Sequence, residues 1–335
     1  MDRITIIGFG IYGASIGLGL MRAKLSNTEI VGTSRERGVL AAASKMGAMD
    51  DTTGNLGSAV RDASLVILDT PITETREFLE AIGPLVRDGC VITDTGVSKL
   101  IVMQWAKELL PEGVSYVGGH PLLRNPTFDI ENAVPSLFEG ADYCLINGDK
   151  SDKGSLRTVV NLVETLGAKP LFMDAHEHDS YAVAMSFLPM IMSSAFVNVA
   201  ARSDGWREMH RLAGSEFSEF TRLGTTDPQD IEAACLANPD ELVYWIDQMI
   251  AELYDYRTQI VNKDDKLLDT FVTSWEARAR WEANVVVEDN RIKLPGAAES
   301  MAAAFFGERL LNRYKQLTDP DAKKKSPWQY FKRDR

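Results

Sequence analysis

Six residues near the N-terminus, Gly8-Phe9-Gly10-Ile11-Tyr12-Gly13, constrain the fold of this chain more than any other feature. They follow an apolar run, residues 4–7, that is typical of a buried strand, and they precede an apolar segment, residues 14–21, that is typical of a helix. A strand, a glycine turn and a helix N-terminus in this order cradle a pyrophosphate, because backbone amides and the helix dipole face the anion. This context makes the spacing specific, and it predicts a dinucleotide site formed by Gly8, Gly10, Ile11, Tyr12 and Gly13.

Further strand-like runs alternate with helices through the first half of the chain. The runs occupy residues 29–32, 65–68, 90–93, 115–117, 143–146 and 170–173, and helix-length segments such as 73–86 and 99–109 lie between them. This alternation predicts a parallel, doubly wound sheet of the Rossmann type. Thr70 and Pro71, after the run 65–68, are further candidates for cofactor contact. Residues 121–137 contain three prolines, and we expect them to form a long loop.

The pattern changes near Asp174, after which apolar residues recur at helical spacing, as in Leu242, Trp245 and Met249. The sequence therefore predicts an α/β dinucleotide-binding domain over residues 1–173 and an all-α domain over residues 174–318. Residues 285–287 and 292–294 fit either a small hairpin or a loop. The basic and aromatic end, residues 319–335, fits either a solvated tail or an arm that docks on a partner subunit.

Composition narrows the partners and the compartment. The net charge of −12 disfavours nucleic acid and anionic membranes as partners, since both attract positive surfaces. The 3 cysteines are widely spaced and form no disulfide framework, and a strand begins too early to leave room for a signal peptide, so we expect a cytoplasmic protein.

Two segments of the second half resemble a membrane span and a metal site, respectively. Residues 185–201 are almost wholly apolar, but Pro189, Asn198 and the missing basic and aromatic flanks favour a helix buried in a protein or subunit core over a membrane span. We therefore expect a homodimer built from the helical domain. His176 and His178 lie in a charged helix start, and a solvated face is the favoured interpretation over a metal site. We expect no metal.

The residue after the second strand usually selects the cofactor. An acidic side chain there binds the ribose 2′-hydroxyl of NAD. Here Ser34 holds that position, roughly 25 residues past the first glycine, and Arg35 and Arg37 follow it. A hydroxyl and guanidinium groups suit a 2′-phosphate, so the sequence predicts NADP rather than NAD. The alternative is a pair of arginines on a solvated turn.

His120 is the strongest candidate for a catalytic group, because it follows the strand-like run 115–117. Ligands of open α/β sheets gather outside the carboxyl ends of the strands. A neutral imidazole there can take the proton of a substrate hydroxyl as hydride leaves, with an ionisation near neutral pH. The alternative is a histidine that caps a turn.

These features, in this order, resemble the prephenate/arogenate dehydrogenases of tyrosine biosynthesis over about residues 1–260. The matching segments after the glycine turn are residues 92–99, Gly119-His120-Pro121, residues 177–179 with 186–189, and residues 217–222. The resemblance implies a nucleotide-binding domain followed by a helical homodimerisation domain. It implies the oxidative decarboxylation of prephenate, arogenate or a related cyclohexadienyl carboxylate. It also implies that His120 is the acid/base and that Arg222 binds a substrate carboxylate.

The chain departs from the family pattern at positions that would touch the substrate. Val97 replaces a serine, which leaves Ser98 and Thr95 as the candidates for its catalytic contact. Phe187 and Met190 replace two helix histidines. An apolar wall thus replaces polar contacts, and a site built to hydrogen-bond one substrate discriminates against another.

The segment after His-Pro also differs, because Leu122, Leu123 and Arg124 replace small residues, and Arg124 is a candidate for a new anion contact. The exact substrate therefore stays open. Two alternatives remain: a dehydrogenase of another carboxylate without decarboxylation, and a non-catalytic nucleotide-sensing dimer. Dehydrogenases of the hydroxy-acid type place a lysine on the first helix of the second domain, and residues 176–202 contain no lysine, which weighs against the first alternative.

Overall fold

The computed structural model describes residues 2–124, 129–149, 151–283 and 285. Contacts divide the chain into two compact units, Met1–Met249 and Ile250–Arg335. The first unit contains a mixed eight-stranded sheet, the helices that flank it and a helical segment that follows it. The proposed boundaries at residues 173 and 318 stay predictions.

All strands of the described residues belong to one sheet. They are β1 (Asp2–Ile7), β2 (Thr28–Thr33), β3 (Asp51–Thr52), β4 (Ala63–Leu68), β5 (Val91–Asp94), β6 (Ser115–Leu122), β7 (Asp142–Asn147) and β8 (Lys169–Phe172). Their spatial order is β3-β2-β1-β4-β5-β6-β7-β8. The order reverses beside β1, and β1 and β4 therefore flank a crevice at their carboxyl ends, where open α/β sheets bind ligands.

The prediction of a wholly parallel sheet is wrong at one edge. Strands β3 to β6 pair in parallel, but β7 is antiparallel to β6, with His120 opposite Cys144. The described residues between β6 and β7 form only a short 3₁₀ turn, Ile130–Asn132, instead of the crossover helix that a parallel return requires. The predicted loop also starts later than expected, because Pro121 and Leu122 end β6.

Thirteen helices occupy the described residues. They are α1 (Ile11–Ala23), α2 (Arg37–Lys45), α3 (Leu56–Val60), α4 (Ile72–Ile82), α5 (Leu100–Leu109), α6 (Lys153–Thr165), α7 (Ala175–Ala182), α8 (Leu188–Ala201), α9 (Trp206–Leu212), α10 (Ser215–Thr221), α11 (Pro228–Ala237), α12 (Pro239–Asn262) and α13 (Lys266–Glu282).

The sheet is covered on both faces, as the continuous apolar strands require. Side chains alternate along β1, so that Ile6 joins the cluster on one face and Ile7 joins the cluster on the other. Strand β4 does the same with Ile67 and Leu68. This double burial holds the carboxyl ends of the central strands in fixed positions.

The apolar segment after the sheet is helical, as predicted. α7 continues through a π-helical turn, Val183–Phe187, into α8. Pro189 lies in the first turn of α8. Because proline has no N–H, it cannot donate to the carbonyl one turn earlier, and this accounts for the π-helical turn before α8. Residues 175–201 are long and apolar enough for a membrane span by length and composition alone, a test that core helices also pass.

A third apolar cluster joins this segment to the loop after β5. Val183 and Phe187 pack with Leu242 of α12, and Val97 packs against them from the loop. Val97 is thus partly buried against this cluster, which favours an apolar residue over serine at that position.

The second unit is described by α13 and the end of α12. Tyr256 and Phe271 bring the two helices together with ring centroids 5.3 Å apart, and Thr270 donates to Gln259 at 3.0 Å. The predicted hairpin or loop, residues 285–287 and 292–294, lies outside the described residues except for Val285. The predicted tail, residues 319–335, lies wholly outside them.

Candidate active site

The glycine turn has the geometry that a dinucleotide cradle needs. Gly8 has φ +87°, and a Cβ there would lie 2.1 Å from the carbonyl oxygen of Asp69. A Cβ on Gly13 would lie 2.6 Å from the oxygen of Gly8, so no larger residue fits either position. α1 then begins at Ile11, and the first-turn amides of Ile11 and Tyr12 have no acceptor within the helix. A pyrophosphate at this turn would meet these amides and the positive end of the helix dipole.

Asp69, which sequence reasoning missed, lies on the same turn. Its Oδ2 accepts from the amides of Gly10 at 2.8 Å and Gly13 at 2.7 Å, and its Oδ1 accepts from Thr95 Oγ1 at 2.6 Å. Burial raises the pKa of the Asp69 carboxyl, and the hydrogen bonds from Thr95, Gly13 and Gly10 oppose that rise. A polar residue directly after the buried run 65–68 was the available signal.

Thr70 and Pro71 lie beside the turn. The Cγ2 atom of Thr70 would be 3.3 Å from a Cβ on Gly8, and Thr70 Oγ1 is 3.1 Å from Thr75 Oγ1. Pro71 is the residue that precedes α4. Thr70 therefore lies against the glycine turn, and cofactor contact by Thr70 and Pro71 stays a prediction.

The residues after β2 form a charged surface that includes both signs. Ser34 Oγ accepts from the Glu36 amide at 3.1 Å, and Arg37 is exposed at the start of α2. Arg35 is paired with two carboxylates of α4, Glu74 at 3.5 Å and Glu77 at 2.6 Å. A phosphate that binds Arg35 would have to compete with both of them.

The guanidinium of Arg35 also lies over the ring of Phe78, with 4.4 Å between its carbon and the ring centroid. This stacking fixes the plane of the guanidinium at the surface of α4. The group is therefore held in one orientation even though it is exposed.

His120 lies within β6 rather than after it, because the antiparallel pairing with β7 extends the strand. The residue is buried, and its Nδ1 lies 2.9 Å from Nε2 of His178. Gly119 lets β6 approach β5 closely, since a Cβ there would lie 2.4 Å from the oxygen of Asp94.

His178 is buried, so the prediction that it belongs to a solvated helix face is wrong. Its Nδ1 lies 2.8 Å from Oδ1 of Asp179, and α7 packs this pair against α5 and His120. His176, two residues earlier, is exposed as predicted. The spacing in the helix decides the difference, since residues two apart face different directions.

Asp179 is held as a carboxylate by several donors. Burial by itself raises its pKa, but hydrogen bonds from His178, from the amides of Leu100 and Lys99, and from Asn238 outweigh burial and lower it. The carboxylate can only accept, so Nδ1 of His178 carries a proton.

The hydrogen-bond chain relates the tautomer of His120 to that of His178. A neutral His178 with its proton on Nδ1 accepts at Nε2, so His120 donates from Nδ1 and its own Nε2 is the unprotonated nitrogen. Burial lowers the pKa of His120 well below its usual value, and the charge of Lys99 and the neighbouring His178 lower it further, against a small opposing effect of Asp179. The lowered pKa makes His120 a neutral imidazole at neutral pH.

Lys99 is wholly buried and forms an ion pair with Asp94, another feature that the sequence did not reveal. Asp94 Oδ1 also accepts from the Gly119 amide at 3.0 Å. The pair thus ties the end of β5 to the strand that carries His120.

The other two catalytic candidates lie in different surroundings. Ser98 is buried next to Lys99, and Thr95 donates to Asp69. Thr95 is therefore linked to the glycine turn, and the catalytic roles of Ser98 and Thr95 stay predictions.

Arg222 and Arg124 are both exposed. Arg222 begins a 3₁₀ turn, Arg222–Thr225, which is fixed to α8 by the Gly224 amide donating to Ser193 Oγ at 2.9 Å. Arg124 borders residues 125–128, which lie outside the described residues. Within the described residues, no group of three or more His, Cys, Asp and Glu side chains could hold a metal ion.

Comparison with known proteins agrees with this arrangement. Residues 18–171 match the nucleotide-binding domain of prephenate dehydrogenase, and residues 174–273 match its dimerisation domain. The chain is similar to the prephenate dehydrogenase of Bacillus subtilis, at 28% identity over 92% of this chain and 86% of that protein. It is also similar to the prephenate dehydrogenase of Lactococcus lactis, at 31% identity over 81% of this chain and 75% of that protein.

Among solved structures, prephenate dehydrogenase from A. aeolicus, in complex with hydroxyphenyl propionate and NAD+, has the same fold, with a TM-score of 0.74. The two chains are 23% identical, and the match covers 83% of this chain and 97% of the other. The two matched domains extend over most of the chain. The sheet that carries the glycine turn and the buried His120 belongs to the fold shared with that structure. The chain therefore belongs to the prephenate dehydrogenase family and is an oxidoreductase of the prephenate/arogenate dehydrogenase type.

Proposed function

We propose that this enzyme catalyses the oxidative decarboxylation of prephenate, arogenate or a closely related cyclohexadienyl carboxylate, with His120 as the base. The observation that carries the proposal is the buried chain from His120 through His178 to Asp179, at the same edge of the sheet as the glycine turn. The curated relatives named above are both prephenate dehydrogenases, which supports this substrate class.

In the proposed reaction, Nε2 of His120 takes the proton of the substrate hydroxyl. A bound nicotinamide supplies the hydride acceptor. The hydride comes from the ring carbon that carries the hydroxyl, and loss of the ring carboxylate as CO₂ completes the aromatic ring. Asp179 and His178 hold His120 in the correct tautomer and orientation, as a carboxylate does for a catalytic imidazole in other enzymes.

Substrate recognition is proposed to use charge at one end and apolar packing at the other. Arg222 suits a carboxylate because its guanidinium can bind both oxygens at once, and Arg124 is proposed as a second anion contact. Val97, Phe187 and Met190 lie in one apolar cluster, which favours a ring over a further polar group at that side.

A turnover screen tests the function directly. Purified protein is supplied with NADP or NAD and with prephenate, arogenate or a 4-amino analogue of prephenate, and reduced cofactor and CO₂ are measured together. Equal amounts of the two products would support oxidative decarboxylation. Reduction without CO₂ would favour the alternative hydroxy-acid type of dehydrogenase, and binding without turnover would favour a nucleotide-sensing dimer.

We further propose NADP as the preferred cofactor, because the position after β2 is Ser34 rather than a carboxylate, and Arg35 and Arg37 lie next to it. Arg35→Ala should weaken NADP binding roughly tenfold or more, since a charge-assisted hydrogen bond contributes about 1.5–3 kcal/mol, and leave NAD binding nearly unchanged.

Glu77→Gln is the matched variant, and it should change NADP affinity in the opposite direction. It removes the carboxylate 2.6 Å from Arg35, so NADP should bind several-fold more tightly than to the unmutated protein. Titration calorimetry with both cofactors measures each effect. Equal affinity of the unmutated protein for NAD and NADP would refute the preference.

We propose a cytoplasmic homodimer without membrane or nucleic-acid partners, built through the helical segment. Met185 and Val199 are each 74% exposed in the single chain, and Phe196 and Phe220 form an exposed aromatic pair beside them. Such a surface is typical of an interface. Replacement of Val199 by Glu should convert a dimer into a monomer, because it places a charge in the apolar interface.

Light scattering at micromolar concentration measures the mass of both proteins. Lys45→Glu, a charge change on α2, is the control and should stay dimeric. A monomeric mass for the unmutated protein would contradict the proposal.

A further inference from the structure

The carboxyl group of Asp69 occupies the inner side of the glycine turn, and the proposed reaction does not use it. Its backbone is fixed, because the Asp69 amide donates to Ile7 on β1 at 2.8 Å directly after β4 ends. Its side chain then spans the turn to Gly10 and Gly13. The carboxyl group therefore lies next to the helix start at which a dinucleotide pyrophosphate would bind.

The donors to this carboxyl group are neutral, so no full positive charge compensates it through these bonds. They are the two glycine amides and the hydroxyl of Thr95. A pyrophosphate carries two negative charges, and the nearby half-buried carboxylate would repel it. Protonation of the carboxyl group removes that repulsion.

The hydrogen bonds allow such a protonation without rearrangement of the turn. Oδ2 can keep both glycine amides, while Oδ1 gains the proton and donates it to Thr95 Oγ1. The hydroxyl of Thr95 rotates from donor to acceptor, which a threonine side chain can do.

We propose that Asp69 binds one proton from solvent when the pyrophosphate of a nicotinamide dinucleotide lies on the turn, and that it positions the turn as a neutral acid. Cofactor binding is then coupled to proton uptake. The inference rests on the proposed cofactor binding and adds a residue and a pH dependence to it.

The titratable groups that face Asp69 do not account for such an uptake. Burial raises the pKa of Tyr12 on α1 to about 12, and burial also raises the pKa of Tyr143 on β7, with a contribution from Asp69 to each. Both phenols therefore stay protonated. The negative charge of Asp94 on β5 also raises the pKa of Tyr143. Asp94 is itself paired with Lys99.

At the same edge of the sheet, burial, Lys99 and His178 lower the pKa of His120 of β6 well below its usual value. The pKa of Asp69 moves in the opposite direction, because burial raises it. A bound pyrophosphate raises it further, so the bound state has the higher pKa. Cofactor affinity should therefore be greatest at low pH and decrease as pH rises between the free and bound pKa values.

Calorimetry on the full-length protein tests the proposal with NADP and NAD as probes. Titration at pH 7.5 in phosphate and in Tris separates proton uptake from binding heat, because the two buffers differ in ionisation enthalpy. The unmutated protein should take up protons on binding, and its affinity should fall as the pH rises, by at most about tenfold per pH unit.

Asp69→Asn keeps the acceptor for both glycine amides but is neutral at every pH. It should bind the cofactor without proton uptake and with equal affinity at pH 7 and pH 8. Asp62→Asn is the matched control, because Asp62 is an exposed carboxylate at the opposite end of β4, and it should behave like the unmutated protein. His120→Asn should also keep the uptake.

Thr95→Val provides an independent test if Asp69→Asn does not fold. The Thr95 hydrogen bond lowers the pKa of Asp69, so its loss should move the pH at which affinity falls to a higher value. Binding without proton uptake, or equal uptake by Asp69→Asn, would overturn the inference alone. Absence of binding by both dinucleotides would overturn the proposed function together with it.

Discussion

His120→Asn should lower kcat by about 10²–10⁴ with little change in cofactor affinity, because asparagine keeps a hydrogen bond but cannot accept the substrate proton. The buried imidazole with Nε2 unprotonated is the group that the proposed reaction requires. Stopped-flow or steady-state rates with the substrate found in the turnover screen measure the loss. A variant that keeps a near wild-type rate would show that another group is the base.

The pH profile gives a second readout of the same group. Burial, Lys99 and His178 lower the pKa of His120, so the neutral form is present at neutral pH and is lost only when the pH falls through the lowered pKa. With cofactor and substrate saturating, kcat should therefore be nearly constant from pH 7 to pH 8 and fall only in acid. The sequence predicted an ionisation near neutral pH, and the burial of His120 places it at lower pH instead.

Arg222→Ala serves as the comparison variant for His120→Asn. Loss of an anion contact that exists in both the ground state and the transition state should mainly raise KM. A fall in kcat without a change in KM would instead place Arg222 in the chemical step.

Lys99→Met should destabilise the protein by about 3–5 kcal/mol, the cost of leaving one member of a buried ion pair without its partner. The ammonium group of Lys99 is completely buried against Asp94, which also holds the Gly119 amide. Removal of the ammonium leaves the Asp94 carboxylate in the core. Urea unfolding followed by circular dichroism measures the change.

Two controls separate the lost charge pair from the lost side chain. In the double variant Asp94→Asn with Lys99→Met, both charges are removed, so much of the lost stability should return. Lys107→Met, on the helix α5 that begins directly after Lys99, breaks an exposed pair with Asp149 and should change stability little. If Lys99→Met unfolds at the same urea concentration as Lys107→Met, the ion pair does not stabilise the fold.

The sequence by itself determined the features that depend on residues close together in the chain. The strand, the turn at Gly8–Gly13 and the helix after it are specified by a local apolar pattern and by Gly8 and Gly13, where a Cβ would collide with the backbone. The alternation of strands and helices, and the change to helical spacing after Asp174, follow from periodicities of two and 3.6 residues. For the same reason the family was evident from motifs in order along the chain.

Only the tertiary structure decided which groups meet. His178 lies 58 residues after His120, and the burial of the start of α7 against β6 makes them partners. Asp69 reaches the glycine turn because β4 pairs with β1, and β7 runs antiparallel because the described residues before it form no crossover helix. Periodicity specifies which face of an element is buried, but pairing and packing specify what that face contacts. The chemistry of the site depends on those contacts.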